Sequence, residues 1–390
     1  MKWTTSLLIA SCLFTAVVPA GTHAQDASLA KQRVYLGTYT GPNSKGIYLA
    51  EFDATTGKLS EPKLAGETVN PSFLALHPDG KHLYAVNEVG EFLGKKAGGI
   101  TAFSIDEKTG LLTQLNQQHS GGPGPCHLVV DKQGKCVLAA NYGGGSCCAV
   151  LLNADGSLGE VTSFFQHENN PVPDAKGKTR VPRGHSINVS PDNKLALCAD
   201  LGRDEIVIYN LDAATGKLTK HEPGFGKTPA GAGPRHFAFH PSGKTAYAIN
   251  ETASTMTVFD FDAAKGSLTE VQTLPTLPAG FTGNNSTAEV VVHPSGKFVY
   301  GSNRGHNSIA VFQVDPATGK LTAAGHQGEG IKVPRNFNID LTGKYLLVGN
   351  HAGNDILVFQ IDQATGALQP TGSRVELSAP VCIKFAKLPQ

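Results

Sequence analysis

Short apolar runs, some continuous and some strictly alternating with polar residues, recur along the chain between glycine-rich polar turns. That pattern predicts short β-strands rather than helices, which would need an apolar period near 3.6. One turn has the form apolar–Asp–x–x–Thr–Gly–x–Leu, first seen at Phe52-Asp53 to Leu59. Its glycine returns at Gly57, Gly110, Gly156, Gly216, Gly266, Gly319 and Gly366, each followed two residues later by a leucine. Glycine suits the positive-φ position of a hairpin turn, and the leucine restarts a buried strand. A second turn alternates with the first, clearest at His77-Pro78-Asp79-Gly80-Lys81, His240-Pro241-Ser242-Gly243-Lys244 and His293-Pro294-Ser295-Gly296-Lys297. Weaker copies begin at Asp131, Ser190 and Asp340. Each copy leads into an apolar strand that ends in Asn or Asp, at Asn87, Asn141, Asp200, Asn250, Asn303 and Asn350.

The first turn thus occurs seven times and the second six. The amino-terminal strand Val34-Tyr35-Leu36-Gly37-Thr38 has no strand before it, and Val381-Cys382-Ile383-Lys384-Phe385 stands alone at the other end. Four-stranded units repeating every ~50 residues predict an all-β, seven-bladed β-propeller. The carboxy-terminal strand is expected to complete the first blade and remove the open sheet edge.

Composition agrees with many turns and few helices. Of 390 residues 45 are glycine, charged residues are 17%, and apolar residues are 40%. The net charge of +1 gives no basic surplus for nucleic acid. Lys2, the apolar stretch Leu7 to Val18 and the small residue ending Thr22-His23-Ala24 read as a cleaved secretory signal, too short to span a bilayer. The expectation is therefore a leader over residues 1–24 and one propeller domain over 25–390, exported to the periplasm or secreted, with no membrane span. Cys12 lies within the leader and leaves a lipoprotein conceivable. The six other cysteines could pair or remain buried thiols, and no CxxC pair suggests zinc. Cys147 and Cys148 should point to opposite faces of a strand.

The repeat also aligns the positions from which side chains can converge. Counting back from the second turn gives the start of each inner strand: Ser72/Phe73, Cys126/His127, His185/Ser186, Arg235/His236, Ala288/Glu289, Arg335/Asn336 and Val381/Cys382. The residue after each Asn/Asp strand end gives a second ring: Tyr39, Glu88, Tyr142, Leu201, Glu251, Arg304 and His351. Inner-strand polar groups can simply hydrogen-bond around a wet channel. Three arginines beside carboxylates and imidazoles point instead to an anion site with an acid or base, because the guanidinium fork suits carboxylate or phosphate and histidine exchanges protons near neutrality. His77, His240 and His293 sit in hairpin turns and read as structural. No GxSxG, HExxH or Walker motif supports serine-hydrolase, zincin or nucleotide chemistry. The polar inserts at 166–184 and 221–234 are expected to form lids or rims.

Gly233-Pro234-Arg235-His236-Phe237-Ala238-Phe239-His240-Pro241 and Asn250-Glu251 resemble the signature of the seven-bladed lactonase family. So do Ser302-Asn303-Arg304-Gly305-His306, Ala199-Asp200-Leu201-Gly202, Asn141-Tyr142-Gly143-Gly144-Gly145 and Pro334-Arg335-Asn336-Phe337-Asn338. That family includes propeller-type 6-phosphogluconolactonase and carboxy-muconate cycloisomerase. The resemblance runs from about Val34 to the end and implies a metal-free site with no cofactor, in which His185, Arg235, Glu251 and Arg304 match the residues proposed for cycloisomerase chemistry. It departs at Arg183, where the family commonly has histidine, and at His351, where it has glutamine.

The expected activity is hydrolysis of a small-molecule lactone, with cycloisomerisation or non-catalytic ligand binding as alternatives. His185 would activate water or protonate the leaving alkoxide. Arg235 would hold the oxyanion or product carboxylate, and Glu251 would orient Arg235 or His185. Arg304 and Arg335 would bind an anionic substituent, while His127, Tyr142, His236, Glu289 and His351 would complete the substrate pocket. A monomer is expected.

Overall fold

The central strands of each repeat are apolar on both faces because both faces are covered. The second strands Cys136–Asn141, Leu195–Asp200, Thr245–Asn250, Phe298–Asn303 and Tyr345–Asn350 are buried throughout. The outermost strands, such as Leu321–Gln327, are largely exposed. The computed structural model describes residues 27–169 and 180–388, besides Met1. The proposed leader therefore lies outside the described residues, as does most of the insert at 166–184.

Seven antiparallel sheets form the blades of a propeller. In blade 1 the inner strand is Pro380–Lys387, followed outward by Lys31–Thr38, Gly46–Asp53 and a broken outer edge of Lys58–Leu59 and Lys63–Glu67. Blades 2 to 7 run in chain order, with inner strands Leu74–Leu76, Pro125–Val130, Gly184–Val189, Pro234–Phe239, Thr287–Val292 and Pro334–Ile339. The expected closure is present: Gln32 to Thr38 pair antiparallel with Lys387 to Pro380. Ile331, Phe337, Tyr300 and Phe359 lie in one apolar seam between blades 6 and 7, and Phe237, Leu197, Ala248 and Phe259 in another between blades 4 and 5. Such seams hold each blade to its neighbour.

Polar staples cross the same seams. The Nε2 atoms of His77, His240 and His293 each donate to the carbonyl of the next blade's turn glycine, Gly134, Gly296 and Gly343, at 2.7–3.0 Å. Their Nδ1 atoms accept backbone N–H groups from their own turns, which fixes the tautomer and the structural role. Tyr35, Tyr84, Tyr247 and Tyr300 occupy one repeat position, and their hydroxyls reach Gly110, Gly156, Gly319 and Gly366 of the following blade.

One expectation needs adjustment, and one question left open by the sequence is answered. Most of the insert at 221–234 is not a rim, because its first part extends the outer strand of blade 4, Lys217–Lys227. Only 228–233 turns toward the ring face, anchored where Asp204 accepts the N–H groups of Gly231 and Gly233. The six cysteines are all buried free thiols, with Cys148 in the seam toward blade 2 and Cys147 in the seam toward blade 4. Among the described residues no helix is long and apolar enough to cross a membrane.

Candidate active site

The first aligned ring coincides with a repeated backbone irregularity. In six of the seven blades the pairing of inner and second strands skips: over Cys126 in blade 3, His185 in blade 4, Arg235 in blade 5, Arg335 in blade 7 and Val381 in blade 1. In blade 6 the skip covers Ala288 and Glu289. A bulge of this kind re-aims the extra side chain. It lets two consecutive residues contribute to the channel, where an unbroken strand would turn one of them away.

The second ring is tied to the first through the backbone. The N–H groups of Tyr39, Glu88, Tyr142, Leu201, Glu251, Arg304 and His351 donate to the carbonyls of Ala379, Asn70, Gly124, Arg183, Gly233, Ser286 and Val333. Every acceptor lies two residues before the first-ring residue of its inner-strand pair, so the seven loops are equivalent.

The upper layer of the channel holds two polar clusters. In the first, Glu251 Oε2 lies 2.9 Å from both Arg235 Nε and Arg304 Nη2. The Arg235 Nε–H is not aimed at that oxygen, so this contact is Coulombic rather than a hydrogen bond. Arg235 and Arg304 also donate to the carbonyls of Ala288 and Thr287, and blade 6 therefore fixes both guanidinium planes. In the second cluster Arg335 donates to the Tyr39 hydroxyl at 2.8 Å, and that hydroxyl donates to Glu88 at 2.9 Å. Ser72 donates to the same Glu88 oxygen. His351 packs edge-on against Tyr39, at 5.7 Å between rings.

His185 lies between these clusters and the rim. The Tyr142 ring meets it edge-on at 5.2 Å, and Arg183 stacks over Tyr142 at 5.4 Å. Burial, followed by the charges of Arg235, His236 and Arg335, holds the His185 imidazole well below its usual range. It is neutral at pH 7 and suited to accept a proton. Burial lowers Arg235 to about 10, with Arg304 and Arg335 adding to the effect, yet it remains a cation at neutral pH.

His127, His236 and Glu289 do not join that layer but form a floor beneath it. His236 Nδ1 donates to Glu289 Oε1 at 2.7 Å, and Asn336 donates to the other carboxylate oxygen. His127 stacks on Phe73 at 4.1 Å and meets His236 edge-on at 5.2 Å. Burial keeps His127 and His236 far below the usual histidine range and pushes Glu289 up. Beneath this floor lies a separate cavity of about 270 Å³ reaching Lys384. The grouping expected from sequence is thus two layers, with His185, Arg235, Glu251, Arg304, Arg335, Tyr142 and His351 above and His127, His236 and Glu289 below. Tyr39, Glu88 and Ser72 were legible as ring positions, but only the structure shows them carrying Arg335.

Seven equivalent loops thus place three arginines, two carboxylates and a neutral histidine around one opening, a set of groups able to hold a small anion beside a proton acceptor. The chain belongs to the family described as Lactonase, 7-bladed beta-propeller, which it matches over residues 33–385. It is 36% identical to a 6-phosphogluconolactonase of Bacillus subtilis over 351 residues, covering 90% of this chain and 97% of that protein. It is 37% identical to the 6-phosphogluconolactonase of Pectobacterium carotovorum, covering 80% and 86%. The solved structure of a periplasmic gluconolactonase from Pseudomonas aeruginosa superimposes with a TM-score of 0.85 at 30% identity, covering 92% of this chain and all of that one.

Proposed function

We propose that this protein hydrolyses a sugar lactone of the gluconolactone type to its free acid, with His185 as the base. The observation that carries the reading is a neutral, buried His185 beside Arg235, whose guanidinium is fixed by Glu251 and Ala288. His185 takes a proton from water as the oxygen adds to the lactone carbonyl. Arg235 and Arg304 hold the oxyanion, which strengthens their interaction as charge develops. Collapse of the tetrahedral intermediate breaks the ring C–O bond. The imidazolium returns its proton to the leaving alkoxide, and the product is the open hydroxy acid.

Charge supports a carboxylate-sized ligand. Arg235, Arg304 and Arg335 face Glu251 and Glu88, which leaves one positive charge to meet one developing negative charge. Arg335 and Arg183 border the opening where a substituent of the lactone would lie, and Tyr142 and His351 give it flat walls. His127, His236 and Glu289 support the site from below.

A leader over residues 1–24 would carry the protein out of the cytosol, and residues 25–390 would act there as one propeller domain and a monomer. A phosphorylated sugar lactone arises inside cells, so an unphosphorylated lactone is the substrate favoured here. The periplasmic gluconolactonase of P. aeruginosa is a precedent for that combination. Acid release from glucono-lactone and from its 6-phosphate, each corrected for spontaneous opening, tests the reading. Faster turnover of the unphosphorylated ring is expected. Acceleration of neither lactone would remove the activity, and a strong preference for the phosphate would remove the substrate assignment.

A further inference from the structure

Away from the channel, the seam between blades 3 and 4 brings together three side chains that are distant along the chain. Cys147 lies in the third strand of blade 3, Ser146–Leu152. His167 follows the outer strand of that blade, and Cys198 lies in the second strand of blade 4. The two sulphurs and one imidazole nitrogen all lie within 4.8 Å of one another. Both cysteines are wholly buried, and the His167 side chain is only 2% exposed.

The histidine is oriented as a ligand would be. Its Nδ1 pairs with Asp200 at 2.5 Å, which leaves Nε2 as the nitrogen open to a ligand. That Nε2 is buried and has no hydrogen-bond partner. An orphaned buried polar atom is unusual in a native interior. A carboxylate behind the far nitrogen of a metal-binding histidine is a recurrent arrangement. The exposed grouping of His77, Asp79 and His82 differs, because His77 Nε2 already donates to Gly134.

We propose that Cys147, His167 and Cys198 form a structural site for one thiophilic d10 metal ion, zinc(II) or copper(I). Two thiolates and an imidazole are the donors such ions select. Metal–sulphur bonds of about 2.3 Å and metal–nitrogen bonds of about 2.0 Å would draw the three atoms, which already lie within 4.8 Å of one another, closer together. A cleft of about 200 Å³ lined in part by Phe165, His167, Arg203 and Tyr209 borders the site on the His167 side.

The site bears on the channel through two contacts. A Cβ at Gly184, the residue before His185, would lie 3.4 Å from Cys198 Sγ. Asp200, which holds His167, also accepts the N–H of Arg183. A bound ion therefore fixes the seam on which the segment leading to His185 rests. Its ligands position that segment and do not touch substrate.

The test uses the intact, reduced protein without oxygen, loaded separately with zinc(II), copper(I) and cobalt(II), the last as a spectroscopic probe. One ion per chain, a cobalt–thiolate charge-transfer band and a metal-dependent rise in melting temperature are expected. The retained ion, zinc or copper, identifies the native occupant. Cys198→Ser and His167→Gln should weaken binding at least ~10-fold, whereas Cys148→Ser, on the opposite strand face, should bind normally. Because the band reads thiolate ligation in the unaltered chain, the test does not depend on the variants folding. Failure of the reduced protein to bind any of the three ions, binding without the band, or a Cys147–Cys198 disulfide in the freshly isolated protein would overturn the assignment.

Discussion

Single residues in the channel owe their chemistry to burial among cations. His185 is 5% exposed and faces Arg235 and Arg335, so its proton affinity falls below that of a free histidine. The rate should therefore stay level as pH drops from 8 through 6.5, since the base is not yet protonated. A kcat/KM that rises with pH through 6.5–7 would show an unshifted histidine and contradict this. Stability should respond too. His127, His185 and His236 stay neutral in the fold, while in the unfolded chain they take up protons below about 6.5. Their folded pKa values are depressed, so the stability they confer is present above about 6.5 and lost as pH falls. Glu289, whose carboxyl is raised, opposes part of this. Denaturant melts between pH 6.5 and 5 should show a loss on the order of 1–4 kcal/mol per pH unit. Arg235 makes a separate prediction. Lysine cannot both reach Glu251 and donate to the Ala288 carbonyl with a planar fork, so Arg235→Lys should lower kcat by ~10²-fold, the scale of losing one oxyanion donor.

At the scale of elements, the strands were legible because the ring covers both faces of the inner sheet positions and only one face near the rim. The closing strand was legible from a count of turns, seven of one kind and six of the other. Removing residues 380–387 deletes Val381, Cys382 and Ile383, all buried, and opens the edge of Lys31–Thr38. Loss of cooperative unfolding, with aggregation, is expected. A truncated chain that remains monomeric with an unchanged midpoint would show the ring is not closed this way. The staples between blades make a milder prediction. Tyr247→Phe removes one hydrogen bond to Gly319 and keeps the ring, and should cost about 1 kcal/mol in denaturant unfolding. The bulges were not legible. They are skips in hydrogen-bond pairing that no residue type announces, and they explain why both members of pairs such as Arg235/His236 line the channel.

For the whole molecule, the repeat made the site legible because equivalent loops converge on one axis, so aligning the blades aligned the site. What that alignment could not give was depth. His127, His236 and Glu289 are second members of their inner-strand pairs and His185, Arg235 and Arg335 first members, and the structure shows these two positions lie at different depths. Contacts between blades were hidden for the same reason. Cys147, His167 and Cys198 are well separated in sequence and meet only when blades 3 and 4 close against each other. The central claim is that this ring face opens a lactone with His185 as its base. Its most direct test is the turnover of glucono-lactone by His185→Ala beside the unaltered protein, with melting temperatures measured on both. A fall of on the order of 10²–10⁴-fold in turnover with a similar melting temperature is expected. A normally folded His185→Ala protein that opens the lactone at the parent rate would contradict it.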